Sequence, residues 1–553
     1  AAKMLSRKMV NLYRLSSEQL SKQDHYDFGM RAVKSVLVMA GHLKRQNPDL
    51  EENVTLIRAL RDSNAPKFLS FDLPLFNGII TDLYPEVTIP NVDYGKLKVE
   101  MENQLRQLNL QVVPAFVTKI TQLLETQLVR HGVMLVGLTM TGKSTNSTIL
   151  SKTLTALKKA GSEDPAHQLT KMFHLNPKSI TMEELYGSFN ENTGEWKDGL
   201  VAILVREAVS DTSDNKKWVN FDGPVDAIWI ENMNTVLDDN KMLCLPNGER
   251  IKLPPTMTVM FEVNDLAVAS PATVSRCGMV YLEPVHLGWK ALIETWAENF
   301  QSRYPKYAAD LGKWCISVCE AAIPFIREEC QEAPGIPSMD SNIVQAYLRM
   351  MTAFISEEHK IMSDGGGSSG AVAEGDKKDA EAELKLVQMY CAMSAIWSLG
   401  LNLHENSRGK FVQFLRPHLQ SFCPTLPEGD LYLFSINDDD CTFVALQSVV
   451  PDFTYKMGQP FFNILVPTAE TTGQRRLLEN LVRGGYHALC SGETGVGKSV
   501  GIQQYLETAG EEYVNATANF SAQTSTNNVV DMLENKLERK RKNLLGAPPG
   551  TSM

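Results

Sequence analysis

Apolar side chains recur at helical spacing through the first part of the chain. This period predicts helices over Met9–Leu20, Ala32–Leu43, Tyr94–Leu108 and Val117–Arg130. Residues 1 to about 62 are accordingly expected to be helical. The stretch Pro66–Pro90 holds several prolines and the pair Asn77-Gly78, so it is expected to be rich in loops.

The pattern changes after residue 145. From there to 285, short apolar runs alternate with helical stretches, as a parallel α/β sheet requires. Within this region Lys241–Leu253 is predicted to form a hairpin, because Asn247-Gly248 near its centre is a strong turn signal. A second α/β pattern begins near residue 453.

Residues 288 to about 420 are predicted to be mostly helical. The glycine- and serine-rich run Gly365–Gly370 and the charged stretch Glu374–Glu383 interrupt that pattern. Such compositions are typical of flexible surface segments. We therefore expect a flexible insertion over residues 363–383.

Two segments fit the phosphate-binding pattern G-x-x-x-x-G-K-[ST]: Gly137–Ser144, here the N-terminal loop, and Gly492–Ser499, here the C-terminal loop. In this motif backbone N–H groups cradle phosphates, the lysine reaches the β- and γ-phosphates, and the final hydroxyl ligates Mg²⁺. Both loops are therefore expected to bind ATP or ADP with Mg²⁺. The predicted nucleotide contacts are Gly137, Thr141, Gly142, Lys143, Ser144, Thr145, Gly492, Thr494, Gly495, Val496, Gly497, Lys498 and Ser499, with Ser144 and Ser499 also on Mg²⁺.

The flanks of the two loops match each other. Val133–Val136 and His487–Cys490 are predicted to be short buried strands leading in, and helical sequence follows each serine. The order Leu-Leu-Glu, then Leu-Val-Arg, precedes both loops, which suggests a duplicated module. Only 55 residues follow Lys498 (553 − 498), so the chain is expected to be truncated or a piece of something larger.

Hydrolysis needs an acid at the end of a second strand and a neighbouring carboxylate that orients water. The best candidate for the acid at the strand end is Asp222, and Gly223 occupies the position where the water-orienting carboxylate is expected. Glu231 is the competitor, although the run from Ala227 to Leu237 fits a helix better. If Asp222 is the metal acid, the N-terminal loop binds nucleotide but hydrolyses it poorly.

Two further polar residues follow this pattern. Asn264 ends the predicted strand Met257–Val263, where it would sense the γ-phosphate, position water, or simply cap a loop. Arg276 lies just before the predicted strand Met279–Leu282. An arginine there is most often a solvated charge or an ion-pair partner, and a catalytic role is the alternative.

Composition narrows the class of protein. A chain of 553 residues suggests three or four domains, and its 43% hydrophobic content suffices for real cores. A net charge of −11 argues against a polyanion as the main partner, so no nucleic acid is expected. Nine scattered cysteines indicate a reducing compartment. No apolar run long enough for a membrane and no signal peptide is recognised.

Several long strings in this chain resemble the motor ring of dynein heavy chains, AAA+ ATPases with six modules in one polypeptide, and the details are closer to axonemal than to cytoplasmic dyneins. The matching strings are His25–Leu37, Arg58–Asp62, Glu184–Gly187, Phe221–Asp226, Asn234–Asn240 and Ala272–Gly278. The resemblance implies tandem AAA+ P-loop modules, each a parallel α/β large subdomain followed by a helical small subdomain.

The resemblance also implies where each segment belongs. The expected parts are the small subdomain of the first module over 1–62, the large subdomain of the second over 63–287, its small subdomain over 288–450, and the start of the third over 451–553. Arg31 matches the family's sensor arginine, and Arg276 its arginine finger, both acting on the first module's nucleotide. Gln111–Val113 and Phe462–Thr468 match the adenine loops of the second and third sites.

By resemblance, the chain is a fragment of an ATP-driven microtubule motor of cilia or flagella, located in the cytoplasm on the cytoskeleton of the axoneme. Expected partners are the other AAA+ modules, microtubules, and dynein intermediate and light chains. The second module would hold ATP with little hydrolysis and the third would bind regulatory nucleotide, so the fragment alone is expected to lack a complete hydrolytic site. The basic run Lys536–Lys542 is expected to be a solvated helix face.

Two alternatives stay open at this point. One is a non-hydrolytic, nucleotide-dependent scaffold segment of another giant AAA+ protein. The other is an unrelated tandem AAA+ remodelling enzyme. An acidic pair on the next strand of the third module would favour hydrolysis there, and a long antiparallel coiled coil further along would favour dynein.

Overall fold

The structure is a computed structural model that describes residues 2–85, 87, 94–238, 240–301, 306–333, 337–357, 374–455, 458, 466–508, 513–542 and 544–550. It contains two compact units, Ala1–Thr295 and Trp296–Met553. The four segments expected from the sequence remain a proposal, because the compact units do not correspond to them one by one. None of the described helices is long and apolar enough to cross a membrane.

Helices make up the first part of the first unit and then cover its sheet. Their bounds are α1 Ala2–Gln19, α2 Met30–Gln46, α3 Glu52–Asn64, α4 Leu73–Leu83, α5 Gly95–Gln107, α6 Pro114–Val129, α7 Lys143–Lys159, α8 Met182–Tyr186, α9 Leu200–Ser210, α10 Ala227–Glu231, α11 Asn234–Leu237, α12 Pro271–Val274, α13 Pro284–Leu287 and α14 Lys290–Gln301. The four helices predicted before the N-terminal loop are α1, α2, α5 and α6.

Helix α4 corrects the expectation of loops over Pro66–Pro90, although residues 86 and 88–93 lie outside the described part. A proline near its first turn is compatible with a helix start, since that position needs no intrahelical N–H bond. Its side chains Phe76, Ile79 and Ile80 are buried. Burial of this apolar stripe outweighs the turn preference of Asn77-Gly78, which lies inside the helix.

Five parallel strands form the sheet of the first unit, in the order β2-β5-β8-β1-β9. They are β1 Gly132–Val136, β2 Thr170–Leu175, β5 Lys216–Asp222, β8 Met257–Val263 and β9 Gly278–Tyr281. Two hairpins accompany it: β3 Gly187–Phe189 with β4 Trp196–Asp198, and β6 Met242–Cys244 with β7 Arg250–Lys252. The parallel α/β class is confirmed, and the second hairpin is the one predicted over 241–253.

Hydrophobic layers lie on both faces of this sheet. On one face the Phe221 ring packs against Phe261 and Trp229, with centroids 5.4 and 5.7 Å away. On the other face Trp218 and Met260 are fully buried against α7 and α6. Strands β2 and β5 carry several polar side chains, but β1 and β8, which are covered on both faces, are apolar along almost their whole length. A polar side chain inside such a strand therefore indicates a special role.

The second unit is mainly helical. Besides the end of α14 it contains α15 Ala308–Glu329, α16 Asp340–Glu357, α17 Glu374–Leu399, α18 Glu405–Gln420, α19 Ala469–Arg483, α20 Lys498–Thr508 and α21 Thr526–Glu534. Its strands are β10 Phe434–Asn437 with β11 Thr442–Ala445, and β12 Glu538–Arg541 with β13 Leu544–Gly546. The helical character predicted for 288–420 is present in its described residues.

Three expectations for the second unit are wrong or fall outside the described residues. His487–Cys490 is not a strand; Leu489 is 79% exposed, and no described strand lies beside it to supply backbone partners. The charged stretch Glu374–Glu383 opens helix α17, while Gly365–Gly370 lies outside the described residues. The basic run at 536–542 lies on hairpin β12–β13 and not on a helix, because α21 ends at Glu534. The strand β12 is fully exposed, so its side chains are solvated as expected.

A buried carboxyl group joins the N-terminal helices to the α/β part within the first unit. Glu125 on α6 accepts a hydrogen bond from the Tyr94 hydroxyl and lies near Asp62 on α3. Burial, and then the neighbouring Asp62 carboxylate, raises the pKa of Glu125 to about 7, although Arg58 and Arg61 lower it. The folded protein therefore binds this proton more tightly than the unfolded chain does.

We predict that Glu125→Gln changes the pH dependence of stability of this unit. A raised folded-state pKa contributes stability that is full below the unfolded value of 4.5 and is lost as pH rises through about 7. Near about pH 8 the variant should melt at a higher temperature than the wild type, and near about pH 5 at a similar one. Thermal melts of both proteins, with the surface variant Glu102→Gln as control, measure this. If the melting temperatures of Glu125→Gln and the wild type differ by the same amount at both pH values, the prediction is wrong.

Candidate nucleotide-binding site

The N-terminal loop connects β1 to α7 and packs closely against its surroundings. A Cβ atom at Gly137 would lie 2.2 Å from the Leu282 carbonyl oxygen, and one at Gly142 would lie 2.7 Å from the Phe116 ring. Gly142 also has φ +85°, in the left-handed region that favours glycine. Met140 adopts φ 69° without being glycine. The loop therefore has a fixed shape in which two glycines are sterically required.

Lys143 lies folded across this loop. Its Nζ donates to the carbonyl oxygens of Gly137 at 2.6 Å and Leu138 at 3.0 Å, and reaches Asn264 Oδ1 at 3.5 Å. Burial lowers the pKa of Lys143, while the carboxylates of Glu262 and Asp222 raise it. The ammonium group, the loop and Asn264 therefore converge on one place, where the motif positions phosphates.

The metal side of the site lies at the ends of β5 and β8. Asp222 is exposed at the end of β5, in register with Glu262 on β8. The Ser144 hydroxyl donates to a Glu262 carboxylate oxygen, and Ser147 donates to the other at 3.2 Å. Sequence reasoning missed Glu262 and Ser147. A single carboxylate inside an otherwise apolar central strand was the available signal.

Gly223 brings no side chain to the site, and the space beside it is already occupied. A Cβ atom there would lie 2.7 Å from Asn176 Oδ1, which accepts a hydrogen bond from the Lys178 N–H at 2.9 Å. The competitor Glu231 ends helix α10 with its side chain exposed. Asp222 is thus the acid that the structure places at the strand end.

The remaining predicted contacts of the N-terminal loop lie in or beside it. Thr141 is buried and its hydroxyl donates to the Leu138 carbonyl at 2.8 Å, so it braces the loop internally. Thr145 is half-buried in the first turn of α7. The stretch 111–113 leads into α6, and Val113 packs on the apolar cluster beneath the loop.

Two arginines from distant parts of the sequence meet on another surface of the first unit. Arg31 Nη1 donates to Ser275 Oγ at 2.7 Å, next to Arg276. Arg130 donates to the backbone carbonyls of both Arg31 and Arg276, each at 3.3 Å. Arg276 itself is paired with Asp238, with Nε 2.6 Å from Oδ1. The structure therefore brings together the two arginines that the sequence suggested for one shared nucleotide.

The C-terminal loop has the same backbone shape as the N-terminal loop. Gly492, Gly495 and Gly497 have φ values of 158°, 87° and 84°, against 159°, 69° and 85° for Gly137, Met140 and Gly142. The Lys498 ammonium donates to the Gly492 carbonyl at 2.8 Å, as Lys143 does in its own loop. Thr494, Val496 and Ser499 are exposed. Of Phe462–Thr468, residues 462–465 lie outside the described part.

The residues of the N-terminal loop fit a nucleotide with Mg²⁺. The glycine turn has the left-handed conformation at Gly142, and Ser144 and two carboxylates lie beside it. No group of three or more histidines, cysteines or acids is arranged for a metal among the described residues. The oxygen-rich surroundings suit Mg²⁺, which is usually held by few protein carboxylates together with phosphate and water.

Three features define a P-loop module of the AAA+ class: the strand order, the phosphate loop after β1, and the polar residues at the ends of the next two strands. These residues are Asn264 after β8 and Asp222 at the end of β5. Four family models match the chain. Their descriptions are "Hydrolytic ATP binding site of dynein motor region" over residues 1–144, "AAA domain (dynein-related subfamily)" over 132–277, "Dynein heavy chain AAA lid domain" over 311–448 and "P-loop containing dynein motor region" over 453–553.

Curated relatives agree with these models. The chain is 47% identical over 558 residues to Dynein axonemal heavy chain 6 of Homo sapiens, and 40% identical over 574 residues to Dynein axonemal heavy chain 1 of Homo sapiens. It is 38% identical over 573 residues to Dynein-1-beta heavy chain, flagellar inner arm I1 complex, of Chlamydomonas reinhardtii. These alignments cover 99–100% of this chain but only 12–13% of each relative. The chain belongs to the axonemal dynein heavy chains, as a segment of their AAA motor region.

We predict that Met140→Gly leaves the folding stability of the first unit unchanged or raises it by up to about 1 kcal/mol. The left-handed conformation costs a non-glycine residue about 1 kcal/mol, which the entropy of glycine partly offsets. Gly142→Ala in the same loop should instead destabilise, because its Cβ meets Phe116. Chemical denaturation of the three proteins tests the pair. A loss of more than about 1 kcal/mol on Met140→Gly would show that its side chain matters more than its backbone.

Proposed function

We propose that this chain is part of the motor ring of an axonemal dynein, an ATP-driven microtubule motor of cilia or flagella. The family membership and the geometry of the N-terminal loop support this. In this proposal 1–62 closes the first module, 63–287 and 288–450 form the second, and 451–553 begins the third. The other modules, microtubules, and intermediate and light chains are the partners, and the axonemal cytoskeleton is the location.

The N-terminal loop is proposed to hold ATP with little hydrolysis. The single observation that carries this is Gly223, which offers no carboxylate beside the metal acid Asp222 and whose side-chain space is occupied by Asn176. When bound, Mg²⁺ would neutralise phosphate charge, and Ser144 and Asp222 would hold it. Lys143 would bind the phosphates, and Asn264, whose Oδ1 lies 3.5 Å from Lys143 Nζ, would be available to the γ-phosphate. A complete phosphate loop without a water-orienting carboxylate beside it favours retention of ATP over its hydrolysis.

The C-terminal loop is proposed to bind a regulatory nucleotide. Its backbone repeats the N-terminal loop, and Lys498 crosses it in the same way. Ser499 would ligate Mg²⁺ in this proposal. Among the described residues of 451–553 there is no parallel sheet with an acid at the end of a strand beside this loop.

We predict that ATP loaded at the N-terminal loop is recovered as ATP. The full 553-residue chain carrying Lys498→Ala would be loaded, freed of excess nucleotide, denatured and analysed by chromatography. Without a water-orienting carboxylate most nucleotide should remain ATP. The matched variant, which adds Lys143→Ala, should retain little nucleotide and melt at a lower temperature, because bound ligand stabilises the fold by mass action. Recovery of ADP alone would overturn the proposal.

Arg31 and Arg276 are proposed to act together on the nucleotide of the preceding, first module. Their convergence within one unit supports this, since Ser275 and Arg130 tie the two segments together. A guanidinium stays charged and presents donors in a fixed fork, so it can stabilise charge on a transferred phosphoryl group. Arg276 would have to exchange its partner Asp238 for phosphate oxygens.

We predict that Arg276→Ala in the intact motor collapses microtubule-stimulated ATP turnover, by roughly 10³–10⁵ if it acts as an arginine finger. Nucleotide retention at the N-terminal loop should be unaffected. Asp238→Asn is the matched control, because it removes the ion pair and leaves the guanidinium in place. A structural ion pair would make both variants equally harmful. Steady-state turnover that survives Arg276→Ala within about tenfold would reject the catalytic role.

A further inference from the structure

Glu262 is a buried carboxylate that the charge of Lys143 reaches only from beyond ion-pair distance. It is 2% exposed and accepts hydrogen bonds from Ser144 Oγ, from Ser147 Oγ at 3.2 Å and from Asn220 Nδ2 at 2.6 Å. No lysine, arginine or histidine forms an ion pair with it in the part of the chain that the structure describes. Burying an unpaired carboxylate is costly, and three neutral donors offset only part of that cost. A divalent cation bound beside Glu262 would offset the remaining cost.

The neighbours of Glu262 identify the cation. Ser144 is the residue whose hydroxyl ligates Mg²⁺ in phosphate-binding loops, and this hydroxyl bonds the Glu262 carboxylate directly. Asp222 lies in register on the adjacent strand β5, so its side chain is on the same face of the sheet.

A second observation points to a ligand at this place. Asn220 is fully buried, and its Oδ1 has no hydrogen-bond partner among the described residues. The other end of the same amide binds Glu262. Mg²⁺ sheds its water reluctantly and usually keeps several molecules in its shell. A water held by the ion would give this orphaned oxygen the donor it lacks.

We propose that Glu262 is a second carboxylate of the Mg²⁺ site at the N-terminal loop, held in place by Ser147 and Asn220. The inference rests on the proposed binding of Mg²⁺-nucleotide there. Glu262 on the neighbouring strand β8 thus adds a second carboxylate beside Asp222, but it does not replace the water-orienting carboxylate that is missing at Gly223. It bonds the hydroxyl on the metal side of the site, so it serves the ion and not the attacking water. Tight, Mg²⁺-dependent retention without hydrolysis is the consequence.

The test compares nucleotide affinity with and without the ion in the full 553-residue chain carrying Lys498→Ala. A fluorescent ATP analogue would be titrated into the wild-type loop and into Glu262→Gln, in excess Mg²⁺ and in EDTA. With Mg²⁺ the variant should bind about 10–100-fold more weakly, the range typical for losing a supporting group of a metal site. In EDTA it should bind equally well or more tightly, because one negative charge near the phosphates is gone. With Mn²⁺ in place of Mg²⁺, electron paramagnetic resonance should count fewer bound ions per nucleotide in Glu262→Gln than in the protein with the wild-type loop.

Matched variants separate the possible outcomes. Ser147→Ala removes a hydrogen bond from the same carboxylate but no charge, so its effect should be similar in both media. Glu262→Asp keeps the charge on a shorter side chain and should retain part of the Mg²⁺ dependence, which also provides a measurement if Glu262→Gln does not fold. If Glu262→Gln weakens binding of the ATP analogue equally in Mg²⁺ and in EDTA, or weakens it in neither, the role of Glu262 in the metal site is rejected. Failure of the wild-type loop to bind the analogue in Mg²⁺ would instead reject the proposed nucleotide binding.

Discussion

The parallel pairing of β1 between β8 and β9 is the constraint on which the rest of the first unit depends. It fixes the strand from which the N-terminal loop emerges and places the ends of β5 and β8 beside that loop. Ligands of open parallel sheets bind at the carboxyl ends of the strands, where loops and helix starts converge. Glycines at 137 and 142 then allow the loop to pack against Leu282 and Phe116.

A comparison of the two phosphate loops shows which features the short motif determines and which depend on residues from elsewhere in the chain. Both have the same succession of backbone angles, and both lysines fold back onto the first glycine carbonyl. Only the N-terminal loop has a sheet edge beside it among the described residues. A local motif therefore sets the shape of the loop, while the carboxylates of Asp222 and Glu262 beside it come from strands distant in the chain.

The surface formed by Arg31, Ser275 and Arg276 also brings together residues that are distant in the sequence. Helix α2 and the segment before β9 are more than two hundred residues apart, yet hydrogen bonds from Arg130 hold both backbones. In a ring of modules such a surface would face the nucleotide of a neighbour. The ion pair with Asp238 gives Arg276 a defined position when no phosphate is within reach.

The sequence by itself determined the features that depend on local pattern. The helical period predicted α1, α2, α5 and α6, the alternation after residue 145 predicted the parallel sheet, and Asn247-Gly248 marked its hairpin. The glycines and lysines of both loops were evident, and Asp222 was preferred over Glu231 because the latter fitted a helix. The helices and the hairpin are predictable because neighbours in sequence determine them.

Tertiary structure decided the rest. Packing made a helix of the segment containing Asn77-Gly78, since burying Phe76 and Ile80 outweighs a turn preference. It left His487–Cys490 outside any strand, because a strand needs partners that local sequence cannot provide. It also set Glu262 against Ser144, a contact between residues 118 positions apart that only the register of β8 with β5 and β1 creates. Which side chains share a site depends on strand order, and strand order is a property of the folded sheet.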